Sequence, residues 1–263
     1  MSTPVVSDEL AEVLADIEEG LREAERTING FAAGISVVLD QLPGWAVDGL
    51  RQSVADLQRT FAEVTQPVWD ALAYAGDPGA LRAAATEWVL RIGSVGNLAG
   101  STNLDTTKAD NRWTGIAADA YRSTLPPQQI ALTAIQTAAM DVSATLNSVA
   151  QAIVDFWYSI LRAVVALGAA TVGVIVTATG VGAPAGIPII AIALAVFAEA
   201  VIAGQQAVAT LAADADTSSA AIFARLSAGA AFREQGWPQS ANSVSTDARI
   251  TDGDGTEWHV VVP

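Results

Sequence analysis

The chain has 263 residues, 51% of them hydrophobic, with a net charge of −15, no cysteine and one histidine. That length and apolar share support a substantial core in one large or two small domains and argue against disorder along the whole chain. The missing cysteines exclude disulfides and thiolate metal sites, and the single histidine, His259, excludes most histidine-based catalysis and His-rich metal binding.

Charge is unevenly placed: residues 1–77 carry 14 acids against 4 bases, residues 78–162 carry 6 against 6, and residues 163–263 carry 8 against 3. Phosphate binding relies on clustered Lys and Arg, which this chain lacks, so nucleic acid is not expected as a partner. Met1 to Glu9 holds acids and no basic segment leading into an apolar one. Any export is therefore expected to follow a route independent of a cleaved signal peptide.

The first element is an amphipathic helix, because Leu10, Val13, Leu14, Ile17, Leu21, Ala24, Ile28 and Phe31 recur at helical steps while Glu12, Asp16, Glu18, Glu19, Glu23 and Glu25 lie mostly off that stripe. Leu42-Pro43-Gly44 breaks it. A second stripe follows at Val47, Leu50, Val54, Leu57, Phe61, Val64 and Val68, alternating three and four like the seam of a helix packed on helices. Pro67 falls in its last turn, and Gly76-Asp77-Pro78-Gly79 closes the segment. Residues 1–77 thus read as an acidic, antiparallel helical hairpin.

A third helix is expected from Pro78, since proline suits a first helical turn, with Leu81, Ala85, Trp88, Ile92 and Val95 on one side and fraying at Gly96 and Gly100. Ser101 to Arg112 is polar and aperiodic and reads as a loop. It leads to Trp113-Thr114-Gly115, followed by Ala117, Ala118, Ala120 and Tyr121. Gly115 can turn the backbone without a Cβ penalty, Trp113 can cover the apolar gap between two antiparallel helices, and the alanines keep the next helix slim. Any helical hairpin can carry a Trp and a Gly near its bend, so the bare tripeptide is a weaker signal than the longer string.

That longer string resembles the WXG family of small helical-hairpin proteins exported by ESX, or type VII, secretion systems of actinobacteria and related bacteria. The resemblance covers about residues 78–150, with Trp113 and Gly115 at the bend and Ala117, Ala118 and Tyr121 at the small and aromatic positions that follow it. It implies a hairpin that pairs with a helical partner or a secretion chaperone and leaves the cell without a cleaved signal. The family's Tyr-x-x-x-Asp/Glu export signal is absent, because Tyr74, Tyr121 and Tyr158 are followed four positions later by Pro78, Leu125 and Arg162. In the resembling systems one member of a pair can supply that signal, which favours export with a partner.

A fourth helix should begin near Ile116 and be interrupted or kinked at Pro126-Pro127 before resuming through Ile130, Leu132, Ile135, Met140, Val142, Leu146, Val149 and Ile153. From Ala163 to Ala198 there is no charged residue, and the run is split near Gly180 to Pro188 into two apolar halves. Each half, with its flank, approaches the ~20 residues that a helix needs to cross a bilayer. Gly168, Gly173, Gly180, Pro184 and Pro188 mark this region as a hairpin that could insert into a membrane, its Ala- and Gly-rich faces suited to close helix contact. Helices enclosed on all sides of a large soluble bundle would look the same, and Trp157 and Tyr158 fit either setting. If the hairpin inserts, acidic helices would hold it off anionic lipid at neutral pH, and protonation of carboxylates in an acidic compartment would relax that repulsion.

Residues 207–235 continue as an Ala-rich helix or helix pair. The tail from Arg249 to Val262 contains Asp252-Gly253 between β-formers, which predicts a small β-hairpin. Asp252 and Asp254 lack the further acids of a calcium loop, and turn chemistry accounts for them. No nucleophile motif, phosphate loop or metalloprotease motif occurs, and the acid pairs Glu18-Glu19 and Asp214 with Asp216 lie in stretches that read as solvated. The expectation is an all-α, elongated set of antiparallel helical hairpins with a small C-terminal β-hairpin. It divides into residues 1–77, 78–150, 151–210 (the apolar hairpin) and 211–263 (the tail). The expected function is non-enzymatic and cofactor-free, secreted or associated with the cell envelope, in pairs or oligomers and in contact with a membrane. The alternative is a soluble scaffold or toxin-associated partner whose apolar helices form its own core.

Overall fold

A computed structural model of the chain describes residues 8–39, 44–102, 115–177, 183–228 and 237–238. The fold is all-α, with helices α1 (Asp8–Leu39), α2 (Gly44–Leu72), α3 (Pro78–Ser101), α4 (Ile116–Thr177) and α5 (Ala183–Ala228). The β-hairpin expected between Arg249 and Val262 lies outside the described residues.

The chain divides into two compact units, one of residues 1–83 with 146–215 and one of residues 84–145 with 216–263. The first is built on four helical segments. From α1, Leu10, Val13, Ile17, Leu21, Ala24, Ile28, Phe31 and Ile35 are buried, and they meet Val54, Leu57, Phe61 and Val68 of α2. Trp157, Ile160, Val164 and Leu167 of α4 and Ile190, Leu194, Phe197 and Val201 of α5 complete one core. The amphipathic stripes of α1 and α2 are thus the core-facing stripes, as their spacing requires. The two helices run antiparallel, with Gln58 Nε2 donating to Asn29 Oδ1 at 2.8 Å and the Arg22 guanidinium 6.0 Å from the centre of the Trp69 ring.

In the second unit, α3 and α4 also run antiparallel and bury a row of their own. Ala85, Ile92 and Ala99 of α3 and Ala118, Leu125, Leu132 and Ala139 of α4 are buried, each row advancing in steps of seven. Ser143 Oγ donates to the Ala85 carbonyl at 3.0 Å across this seam. Arg225 of α5 pairs with Asp141 of α4 at 2.6 Å.

The expected interruption of α4 and the expected fraying of α3 are absent. α4 runs through Pro126 and Pro127, and α3 runs through Gly96 and Gly100 to Ser101. Each proline removes a donor and crowds the preceding turn, costing about 3 kcal/mol in a helix interior. The buried row Ala118, Leu125, Leu132 and Ala139 keeps one register on both sides of the prolines. Packing of that row therefore overrides local propensity. α3 does begin at Pro78, where the Asp77 carboxylate caps it by accepting from the Ala80 amide at 2.9 Å.

Candidate functional site

The site that the fold builds is the pair formed by the second half of α4 and the first part of α5, in the first unit. On α4 the buried residues Trp157, Ile160, Val164, Leu167 and Thr171 step by three and four, and on α5 the residues Ile190, Leu194, Phe197 and Val201 do the same. These two rows form the inward faces, against α1 and α2. The only polar side chain among them besides the indole is Thr171, whose hydroxyl donates to the Gly168 carbonyl one turn back at 2.9 Å. Among the described residues no buried side-chain nitrogen or oxygen lacks a hydrogen-bond partner.

The opposite faces are apolar too, and they are exposed. Ile192 is 65% accessible, Val196 57% and Val165 63%, with Val172, Ile189 and Ile202 about half accessible. A helix in a soluble bundle needs one apolar face. Here α5 carries apolar residues at Ile189, Ile192 and Val196 on the side turned away from Ile190, Leu194 and Phe197. Two stretches, Ala118–Val172 and Gly186–Ser227, are long and apolar enough to cross a membrane, and only 22% and 28% of their most apolar windows are buried. The described parts of these helices are therefore not enclosed on all sides.

Close helix approach holds the inward faces together. A Cβ built on Gly20 of α1 would stand 2.5 Å from Val164 Cγ1 of α4, and one on Gly204 of α5 would stand 2.7 Å from Phe156 Cε2 of α4. Trp157 is 2% accessible, and its indole Nε1 donates to the Ala75 carbonyl in the corner between α2 and α3 at 2.9 Å. Gly76, next along this corner, has φ +81° and lies against Ile153. Trp157 therefore packs and hydrogen-bonds within the fold. A heptad row at 150, 153, 157, 160, 164, 167 and 171 was the sequence signal that places it there. Nothing in the sequence singles out Gly20 or Gly204 as packing glycines, because their neighbours are remote in the chain.

The residues marked by the sequence fall as follows. Gly168 is half-buried in α4 with open space where a Cβ would stand. Gly173 lies on the α4 backbone, Pro184 in the first turn of α5 and Pro188 inside α5 with its ring exposed; Gly180 lies outside the described residues. Of the Trp113 corner, Trp113 lies outside them. Gly115 stands at the entrance to α4 with φ +109°, and its carbonyl accepts from the Asp119 amide at 3.0 Å, which closes the first turn. Ala117 follows in that turn, Ala118 is fully buried and Tyr121 is 37% accessible at the surface. The second unit also exposes Trp88 and Leu98 of α3, Ile130 and Met140 of α4 and Phe223 of α5. Trp88, which the sequence places on the same side of α3 as Ala85 and Ile92, is thus exposed while they are buried.

Other chemistry is sparse. A shallow groove along α4 is lined by Gln129, Ile130, Thr133, Ala134 and Thr137, all from one helix face. Among the described residues no three His, Cys, Asp or Glu side chains gather as a metal site requires. His259 lies outside those residues. No protein-family model matches the chain, and neither a curated protein nor a solved structure does.

Proposed function

We propose that this chain is a non-enzymatic protein that pairs with a helical partner and inserts the apolar α4–α5 hairpin into a membrane. The single observation that carries the membrane part is that α5 is apolar on its buried and its exposed side, Ile190, Leu194 and Phe197 against Ile189, Ile192 and Val196. A hydrocarbon environment satisfies both sides, whereas a soluble bundle satisfies one. The uncharged run from Ala163 to Ala198 supports the same reading. The partner part rests on the Trp113-x-Gly115 corner and its resemblance to WXG proteins, with Gly115 in the left-handed region at the start of α4 in support. It follows that export by a type VII-like route, to the exterior or the cell envelope, is part of the proposal.

A second reading has its own support. The inward faces of α4 and α5 share a core with α1 and α2, as they would in a soluble scaffold or toxin-associated partner protein.

The double substitution Ile192→Asp with Val196→Asp separates the two. Both positions are exposed, so the unfolding free energy from urea denaturation should stay within about 0.5 kcal/mol of the parent's, with helical content unchanged. Each Asp costs about 2.5–3.5 kcal/mol near the centre of a membrane helix. Dye release from phosphatidylcholine vesicles should therefore disappear. Undiminished release from this variant would remove the membrane reading, and a parent that never releases dye would favour the soluble scaffold.

A further inference from the structure

The four-helix unit as it stands cannot enter a bilayer. The outer faces of α1 and α2 expose Glu12, Asp16, Glu19, Glu23, Glu25, Glu63 and Asp70, and carboxylates on a lipid-facing surface oppose insertion strongly. The inward faces of α4 and α5 are of the opposite kind, with Ile160, Val164, Leu167, Ile190, Leu194 and Phe197 and no charged side chain. Those faces could exchange the apolar stripes of α1 and α2 for acyl chains with little change in how well they are shielded from water. Insertion therefore requires α1 and α2 to part from α4 and α5.

The geometry points to how they part, and we propose that the α1–α2 hairpin is a detachable cover that swings away as one piece about the corner Ala73–Asp77. This inference rests on the membrane reading above and assigns its control. The two cover helices hold to each other through Asn29–Gln58 and Arg22–Trp69 and through the residues they bury between them. The ion pairs Arg22–Glu18, Arg26–Glu23 and Arg59–Asp56 run within single helices and travel with the cover. The corner has the parts of a fastened hinge: Gly76 at φ +81°, which reaches backbone conformations that other residues avoid, and the Ala75 carbonyl gripped by the buried Trp157 indole. The cover seats on α4 where Gly20 meets Val164, a contact with no room for a methyl group.

The same contact supplies the test. A Cβ on Gly20 would lie 3.9 Å from Val164 Cβ, inside the span of about 3.5–4.5 Å that a disulfide bridges. The chain has no cysteine of its own, so Gly20→Cys with Val164→Cys creates one possible disulfide, tying α1 to α4. Full-length protein is added to dye-loaded phosphatidylcholine vesicles, oxidised and after reduction. The reduced form should release dye, and the oxidised form should release about tenfold less or none, because the cover cannot leave. Gly20→Leu is the second variant: its side chain cannot fit against Val164, so the cover loosens and release should rise several-fold over the parent. Equal release from the oxidised and reduced forms overturns the cover while leaving the membrane reading intact. If the reduced double variant is itself inactive, Gly20→Leu decides, and release no greater than the parent's overturns the proposal. A parent that releases no dye defeats the membrane reading and the cover together.

Discussion

Glycine has opposite meanings at two positions one helix face apart in α1. At Gly20 an added methyl would sit 2.5 Å from Val164 Cγ1, while at Gly30 nothing stands within 4 Å. Alanine is the better helix former by about 1 kcal/mol, and overpacking a tight seam costs about 1–3 kcal/mol. Gly30→Ala should therefore stabilise the protein by about 0.5–1 kcal/mol, and Gly20→Ala should destabilise it by about 1 kcal/mol once the propensity gain is offset. Urea denaturation of the two variants beside the parent checks both signs. Trp157 is a second case where the partner decides the role. Its indole can stand at a membrane interface or inside a fold, and the Ala75 carbonyl 2.9 Å away settles its place in this conformation.

At the scale of the element, α1 and α2 were legible from spacing alone because one face is apolar and the other acidic. Every residue of the α1 stripe from Leu10 to Phe31 is buried except Leu14, which is half-buried. α4 was not legible in this way. Pro126 and Pro127 signal an interruption or a kink, and the helix continues past both. The continuity has a testable consequence, because alanine at these positions restores a backbone donor to a turn that is already helical. Pro126→Ala and Pro127→Ala should each raise stability by about 1–3 kcal/mol, read as an increase in the thermal midpoint. A loss of stability would mean that the prolines set a local geometry that the α4 packing needs. α5 shows the reverse difficulty. Its apolar residues surround the helix, so periodicity could not tell a buried core helix from a membrane helix, and only accessibility separates the face that is covered from the one that is not.

For the whole molecule, charge and apolar surface are distributed so that one unit joins two acidic helices to an uncharged run across the end of α4 and the start of α5. The α1–α2 hairpin carries most of the acids of residues 1–77, and the run from Ala163 to Ala198 carries none. This division is consistent with the proposed change of surroundings, since exposed acids favour water and an uncharged run favours hydrocarbon. The proposed partner engages the other unit, at the entrance to α4. Trp113→Ala should abolish pairing and export while the circular dichroism signal of the helices stays close to the parent's. Recovery of the variant in culture filtrate at the parent's level, in a complex of the parent's mass, would remove the type VII reading.

The amino-acid sequence by itself determined the all-α class, the positions of α1 and α2, the proline start of α3 and the presence of a long apolar, uncharged run. These are local matters, written in periodicity, caps and composition. Tertiary structure alone decided that α4 passes its two prolines, that Gly20 and Gly204 are points of helix contact, and that the apolar hairpin is covered on one side and open on the other. Each of these depends on which residues meet from distant parts of the chain, and the energy of such meetings exceeds the local propensities that a sequence displays.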